Sequence, residues 1–214
     1  MIVEQIMTKS PVTVAPDTPV ADAQALMQKQ HFHRLPVVDR SQKLVGIVSE
    51  KDLIYASPSP ATTLNGYEIG ALLSRLRVSE IMSAPVISIG PDSLVEDAAR
   101  VLADNDIGGL PVMDGERIVG IVTESDIFHC LIELFGTRQK GVRITAEVPE
   151  ATGELAHLSS ALAQRGIGII SLGTWPGTDQ TNRILTIKVE RADEALLRET
   201  LQPWVTRILD IREA

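Results

Sequence analysis

Two aspartates in this chain of 214 residues each stand three positions after a hydroxyl side chain, in Ser49-Glu50-Lys51-Asp52 and Thr123-Glu124-Ser125-Asp126. An ionised carboxylate accepts hydrogen bonds on two oxygens, and a hydroxyl both donates and accepts, so Asp52 with Ser49 and Asp126 with Thr123 can hold a polar ligand. The same spacing at a helix start is also what ordinary capping produces. A third chemical group is His33-Arg34. The Arg34 guanidinium can make charge-assisted bonds to phosphate, and His33 can join it when protonated or by donating one ring hydrogen. The plainer alternative makes Arg34 a surface residue and His33 a polar turn residue. The four histidines, His31, His33, His129 and His157, supply no His-Glu-x-x-His spacing. Neither Gly-x-Gly-x-x-Gly nor a Walker phosphate loop occurs, and Cys130 has no recognisable base motif around it.

These groups sit in a repeat. Ile6 to Asp39 aligns with Ile81 to Asp114 at a constant shift of seventy-five, with eleven of thirty-four positions identical. One residue is then lost from a turn. Val45-Gly46-Ile47-Val48-Ser49-Glu50-Lys51-Asp52 matches Val119-Gly120-Ile121-Val122-Thr123-Glu124-Ser125-Asp126 at six of eight positions. Repeated units commonly share a core that neither buries alone, which directs attention to the cleft between the copies.

Each copy begins with a short apolar segment, Pro11 to Val14 or Val86 to Ile89, that reads as a strand, and Pro-Asp then marks a turn. A helix follows. Ser93 with Glu96 forms a capping box in the second copy, while Thr18 caps the first with Pro19 at the first helical position. Val20, Ala23 and Met27, mirrored by Val95, Ala98 and Leu102, give each helix a core stripe. Two strands come next, Leu35 to Val38 with Leu44 to Val48, and Leu110 to Met113 with Arg117 to Val122. A second helix starts at Ser49 or Thr123. Between the copies, Ser57-Pro58-Ser59-Pro60 is a breaker cluster, and Asn65 with Glu68 caps a packed linking helix bearing Ile69, Leu72, Leu73 and Leu76.

Composition limits the function classes. With 44% hydrophobic and 22% charged residues the chain suits a globular protein of more than one domain. Its formal charge of -8 and pI near 5.0 repel phosphate backbones, and no basic stripe points to nucleic acid. No apolar run approaches the roughly twenty residues of a membrane helix, and Met1 to Val20 has no signal-peptide pattern, so no membrane insertion and a cytoplasmic location are expected. Cys130, inside the apolar run Ile127 to Phe135, reads as a small buried residue rather than a reactive thiol.

The paired motifs, in order, resemble a tandem pair of CBS domains over about residues 1 to 136. The resemblance rests on Val3-Glu4-Gln5-Ile6-Met7-Thr8 and Val78-Ser79-Glu80-Ile81-Met82-Ser83, on the Leu-Pro-Val-x-Asp strands at Leu35 and Leu110, and on the Gly-Ile-Val-(Ser/Thr)-Glu-x-Asp segments. It implies an α/β fold of two β-α-β-β-α units packed about a pseudo-twofold axis, with clefts for AMP, ATP or S-adenosylmethionine. Under it, Asp52 and Asp126 bind ribose, Ser49 and Thr123 orient the sugar or phosphate, and Pro11-Val12 and Val86-Ile87 supply apolar walls for adenine. Arg34 and His33 then approach phosphate. The second copy has Gly108-Gly109 where the first has His33-Arg34, so one cleft is expected to prefer a charged nucleotide and the other to be either empty or suited to a ligand with little charge near Gly108 and Gly109.

From Val142 a different pattern begins. Val142 to Val148 alternates as a half-buried strand, and Leu155, Leu158 and Leu162 stripe a helix. Gly166 to Leu172 and Arg183 to Val189 are strands, Ala192 to Leu201 is a helix, and Val205 to Ile211 is a last strand. The order βαββαβ, with Gly153-Glu154-Leu155 at the first helix start, resembles a ferredoxin-like ACT domain over about residues 141 to 214. Many amino-acid-binding ACT domains carry asparagine where this chain has Gly168, so a pairing or signal-transmitting role is favoured over an amino-acid site. Trp175 and Trp204 suit either interface anchors or ordinary packing.

The expected domains are residues 1–56, a linker at 57–75, residues 76–136, and residues 141–214. The whole arrangement resembles the bacterial acetoin-utilization regulatory family. CBS pairs also occur inside enzymes such as IMP dehydrogenase, but the three modules leave no room for its catalytic barrel, and the two aspartates fall in separate clefts. The expectation is a non-catalytic regulatory homodimer that senses adenosine-containing ligands and acts on a partner enzyme or transporter. No required cofactor is expected. Alternatives are an interaction module with empty clefts or an amino-acid sensor acting through the third segment.

Overall fold

The computed structural model describes residues 1–56, 63 and 65–214, which leaves the Ser57-Pro58-Ser59-Pro60 cluster outside the described residues. The chain divides into two compact units, residues 1–127 and 128–214. Among the described residues no helix is long and apolar enough to cross a membrane.

In the first unit the first repeat contributes β1 (Thr8–Lys9), α1 (Val20–Gln30), β2 (Arg34–Val38), β3 (Leu44–Ser49) and α2 (Glu50–Ala56). The linking helix α3 (Gly66–Arg75) is capped as expected, with Asn65 Oδ1 accepting from the amides of Tyr67 and Glu68, each at 3.1 Å. Ile69, Leu73 and Leu76 pack on the first repeat's core, while the Leu72 side chain lies outside what is described. The second repeat contributes α4 (Val95–Asp104), β4 (Gly109–Asp114), β5 (Arg117–Thr123) and the start of α5 (Glu124–Leu134). The expected stripes are buried: Val20, Ala23 and Met27 under the first sheet, Val95, Ala98 and Leu102 under the second.

The repeats exchange their leading segments. The 3-10 turn Val3–Gln5 places Val3, fully buried, in the core formed by Ala98, Leu102, Leu110, Val112 and Val122. Its mirror, the 3-10 turn Val78–Glu80, places Val78 in the core of Val20, Ala23, Leu35 and Val48. β1 of the first repeat pairs with β5 of the second, giving the sheet order β1-β5-β4, and Ile47 of β3 bridges to Ser83. Gly46 and Gly120 leave room for the methionines of the exchanged segments. A Cβ at Gly120 would collide with Met7 Sδ, and one at Gly46 with Met82 Sδ.

The exchange also alters how the helices are capped. Neither Thr18 nor Ser93 caps with its side chain: α1 begins after Pro19 and α4 after Leu94, and Thr18 Oγ1 instead accepts from the Ala15 amide at 3.1 Å. The orphan amides at these helix starts find backbone acceptors in the exchanged segments. Val20 donates to the Leu76 carbonyl at 2.9 Å, and Val95 to the Met1 carbonyl at 3.2 Å. The expected opening strands are also reduced. Val14 and Ile89 each make one parallel bridge, to Val37 and Val112, because Pro11 to Thr13 and Val86 to Ser88 have no neighbouring strand to pair with.

The second unit contains β6 (Val142–Pro149), α6 (Glu154–Gln164), β7 (Gly168–Pro176), β8 (Asn182–Glu190), α7 (Glu194–Leu201) and β9 (Arg207–Glu213). Its antiparallel sheet has the order β7-β8-β6-β9, a split βαβ arrangement. Leu158, Leu162, Leu197 and Leu201 from the helices close over Val142, Ile144, Leu185 and Ile187 of the sheet. Leu155 is 43% exposed, so it stands outside the expected stripe. Cys130 is half-buried rather than buried, because α5 turns Phe128, Leu131 and Leu134 toward solvent and buries no side chain fully.

The exchange makes a direct prediction. Gly120→Val is expected to destabilise the first unit by about 1–3 kcal/mol through overpacking against Met7. Met7→Ala in the same chain is expected to relieve part of that loss. Urea unfolding of the four chains of this cycle measures the coupling, and additive losses would contradict the reciprocal packing.

Candidate functional site

The first unit presents two clefts that share a wall. One, of about 580 Å³, is lined by Ser49 and Asp52 at the start of α2, by Val86 and Ile87, and by Gly108 and Gly109 at the start of β4. The other, of about 380 Å³, is lined by Thr123 at the end of β5, by Pro11 and Val12, and by His31 and Phe32. Both volumes lie within the range of small-molecule sites. Each cleft therefore combines a strand-to-helix junction of one repeat with the segments before the strands of the other. His33, Arg34, Gly108 and Glu124 line both.

The hydroxyl–aspartate pairs have matching geometry. Asp52 Oδ2 accepts from the Ser49 amide and hydroxyl, both at 2.7 Å, and the Asp52 amide donates back to Ser49 Oγ at 3.3 Å. Asp126 Oδ2 accepts from the Thr123 amide at 2.8 Å and hydroxyl at 2.7 Å, with the return bond at 3.4 Å. Capping is thus real in both copies. It uses one carboxylate oxygen of each aspartate, and among the described residues Oδ1 has no hydrogen-bond partner. Asp52 lines its cleft, whereas Asp126, bonded to Thr123, does not line the smaller one.

Arg34 changes the expected division of charge between the clefts. β2 and β4 begin close together, so the guanidinium lies over Gly108 and Gly109, where a Cβ on either glycine would collide with it. The two motifs that differ between the copies are therefore physically complementary. Burial pulls the Arg34 pKa below the usual arginine range, and the negative charges of Glu124 and then Asp126 push it back up. Arg34 Nη1 is buried without a hydrogen-bond partner among the described residues. His33 Nδ1 meets Glu50 Oε2 at 2.9 Å in an exposed pair.

Sequence reasoning overlooked Glu50 and Glu124, the identical acidic residues at the head of each second helix. Glu50 engages His33, and Glu124 sits in the shared wall near Arg34. Their matched places in the repeat were the available signal. Lys51 and Tyr55, which also line the larger cleft, stand one turn apart on α2, with Lys51 Nζ 5.9 Å from the Tyr55 ring centre.

A duplicated unit with exchanged leading segments and paired clefts defines a tandem module of the CBS type. The chain belongs to the CBS domain family, whose pattern it matches at residues 3–59 and 78–133. It is similar to an AcuB structure from Vibrio cholerae assigned to acetoin utilization, at 31% identity and TM-score 0.53, covering 64% of this chain and 95% of that one. The CBS domain pair of protein MJ0100, in complex with 5′-methylthioadenosine and S-adenosyl-L-methionine, is 30% identical with TM-score 0.52, over 65% of this chain and 98% of that one. CBSX2 in complex with AMP is 27% identical with TM-score 0.51, over 64% and 98%.

Because their caps have the same geometry, Ser49→Ala and Thr123→Ala are expected to cost similar amounts, about 1 kcal/mol each. Chemical denaturation of the two variants measures this, and a loss confined to one repeat would contradict the matched geometry.

Proposed function

We propose that this protein is a regulatory sensor that binds an adenosine-containing ligand, AMP, ATP or S-adenosylmethionine, between its CBS repeats. The observation that carries the reading is the larger cleft, where Asp52, whose Oδ1 has no partner among the described residues, the Ser49 hydroxyl and the apolar pair Val86-Ile87 converge on one volume. In this reading Asp52 accepts from the ribose hydroxyls and Val86 with Ile87 flanks the adenine. Arg34 Nη1, which has no acceptor among the described residues, donates to phosphate. His33 and Lys51 add donors at the mouth. Pro11, Val12 and Thr123 offer the smaller cleft a corresponding wall and hydroxyl, with Asp126 bonded to Thr123 beside it. Two similar CBS structures carrying AMP or S-adenosylmethionine support the ligand class.

The protein is proposed to act without intrinsic catalysis, as a homodimer in the cytoplasm, relaying occupancy to a partner enzyme or transporter. Exposed apolar side chains support the pairing: Ile54 and Tyr55 on α2, and separately Phe128, Leu131 and Leu134 on α5. The split βαβ unit fits the ferredoxin-like, ACT-type reading, with pairing or signal transmission as its role. The likeness to AcuB supports a place in the acetoin-utilization regulatory group.

Isothermal titration with AMP, ATP and S-adenosylmethionine tests the reading. At least one is expected to bind, with Asp52→Ala weakening it tenfold or more and Asp126→Ala acting on a second, weaker site. No heat and no thermal shift with any of the three would leave the interaction-module reading in its place. Sedimentation is expected to show a dimer that Leu131→Asp or Tyr55→Asp shifts toward monomer. A monomer in the unmodified chain would refute the pairing.

A further inference from the structure

Strand alternation in the second unit sends Val142 and Ile144 of β6, and Leu185 and Ile187 of β8, into the helix-covered core. Arg143 and Thr145 of β6, and Thr186 and Lys188 of β8, therefore face the other side of the sheet. Lys188 is only 4% exposed there. Its Nζ donates to the Gly136 carbonyl at 3.1 Å, and among the described residues it forms no ion pair. Beside it lies a cavity of about 360 Å³ lined by Phe135, Thr137, Arg143, Ser171, Trp175, Thr186 and Ala214 together with Lys188. Among the described residues no acidic side chain lines this cavity. Arg143 stands at its rim, with Nη1 3.9 Å from Asp210.

An ammonium has three donors, and one neutral carbonyl satisfies one of them. Burying such a cation without an opposite charge is unfavourable, and an apolar side chain would fill the same space more stably if packing were its sole task. The rest of the lining is Phe135, Trp175 and Ala214 with three hydroxyl residues, of which Ser171 already donates to the Phe135 carbonyl at 3.1 Å and Thr186 Oγ1 lies 3.1 Å from Thr145 Oγ1. We propose that this cavity binds a small organic monocarboxylate with an apolar body. The carboxylate is held by Lys188 Nζ, with Arg143 adding charge at the rim, and the body lies between Phe135 and Trp175. An amino acid fits less well, because its own ammonium would enter a cavity that already holds Lys188 and Arg143 and that no acidic side chain lines among the described residues. The site is separate from the adenosyl clefts and stands whether or not those clefts bind a ligand.

The test uses the full chain carrying Trp204→Phe, which leaves Trp175 as the sole tryptophan of the original two. Titration with 3-phenylpropionate is expected to give a saturable change in Trp175 emission at millimolar or lower concentration. L-phenylalanine, which adds only the α-ammonium, is expected to bind at least tenfold more weakly, and inorganic phosphate to leave the emission unchanged. Lys188→Met is expected to weaken 3-phenylpropionate at least tenfold, and Arg143→Gln severalfold. An unsaturable or absent response overturns the proposal, as does equal affinity for L-phenylalanine or an unchanged affinity in Lys188→Met. Should Lys188→Met lose its far-ultraviolet dichroism, Arg143→Gln decides, and an unchanged affinity there overturns the proposal. AMP added to the same samples leaves the tryptophan response unaltered, so failure of the nucleotide reading and failure of this one are separately visible.

Discussion

The packing of each repeat's first turn into the other repeat is the constraint from which the rest of the first unit follows. Val3 and Val78 each fill a core made by the opposite copy, and Met7 and Met82 lie where Gly120 and Gly46 leave no side chain. Fully burying side chains of this size is worth about 1.5–3 kcal/mol each, so neither repeat keeps an intact core without its partner. The same segments supply carbonyls to the starts of α1 and α4, replacing the side-chain caps that local sequence would have provided. Strand pairing, helix capping and core formation thus all depend on one reciprocal contact.

That contact also builds the clefts. Exchange brings Val86 and Ile87 opposite Ser49 and Asp52, and Pro11 and Val12 opposite Thr123, so each cleft is made by both repeats. A ligand seated there touches both halves, and its binding free energy enters directly into how the halves pack. Arg34 gives the arrangement its asymmetry. Its guanidinium occupies the space above Gly108 and Gly109 in the wall common to both clefts, within the field of Glu124 and Asp126. Phosphate in either cleft would compete with those carboxylates for the same cation, which ties the electrostatics of the two clefts together.

Much of this was legible in the residues, and the exceptions have physical causes. The apolar stripes of α1 and α4, the four strands of the repeats and the βαββαβ order after Val142 follow from periodicity, which depends on neighbours close in sequence. The caps at Thr18 and Ser93 were misread because their acceptors, the Leu76 and Met1 carbonyls, are supplied from afar. The candidate site was read in its parts rather than in its assembly. Asp52, Ser49, Val86 and Ile87 do meet, but Asp126, bonded to Thr123, does not line the smaller cleft, and the contrast between His33-Arg34 and Gly108-Gly109 proved to be a contact between them. Lys188 gave no sequence signal at all, since an alternating strand with a lysine on its polar face looks solvent-exposed until the opposite face is covered.

Where an adenosyl ligand sits decides most directly whether the larger cleft is the sensing site. Amide chemical-shift mapping of the isotopically labelled chain during titration with AMP locates it without relying on a variant. Saturable shifts at Ser49, Asp52, Ile87, Gly108 and Gly109 are predicted, because those residues surround the larger cleft. An absence of shifts, or shifts that saturate while these five remain still, would contradict it.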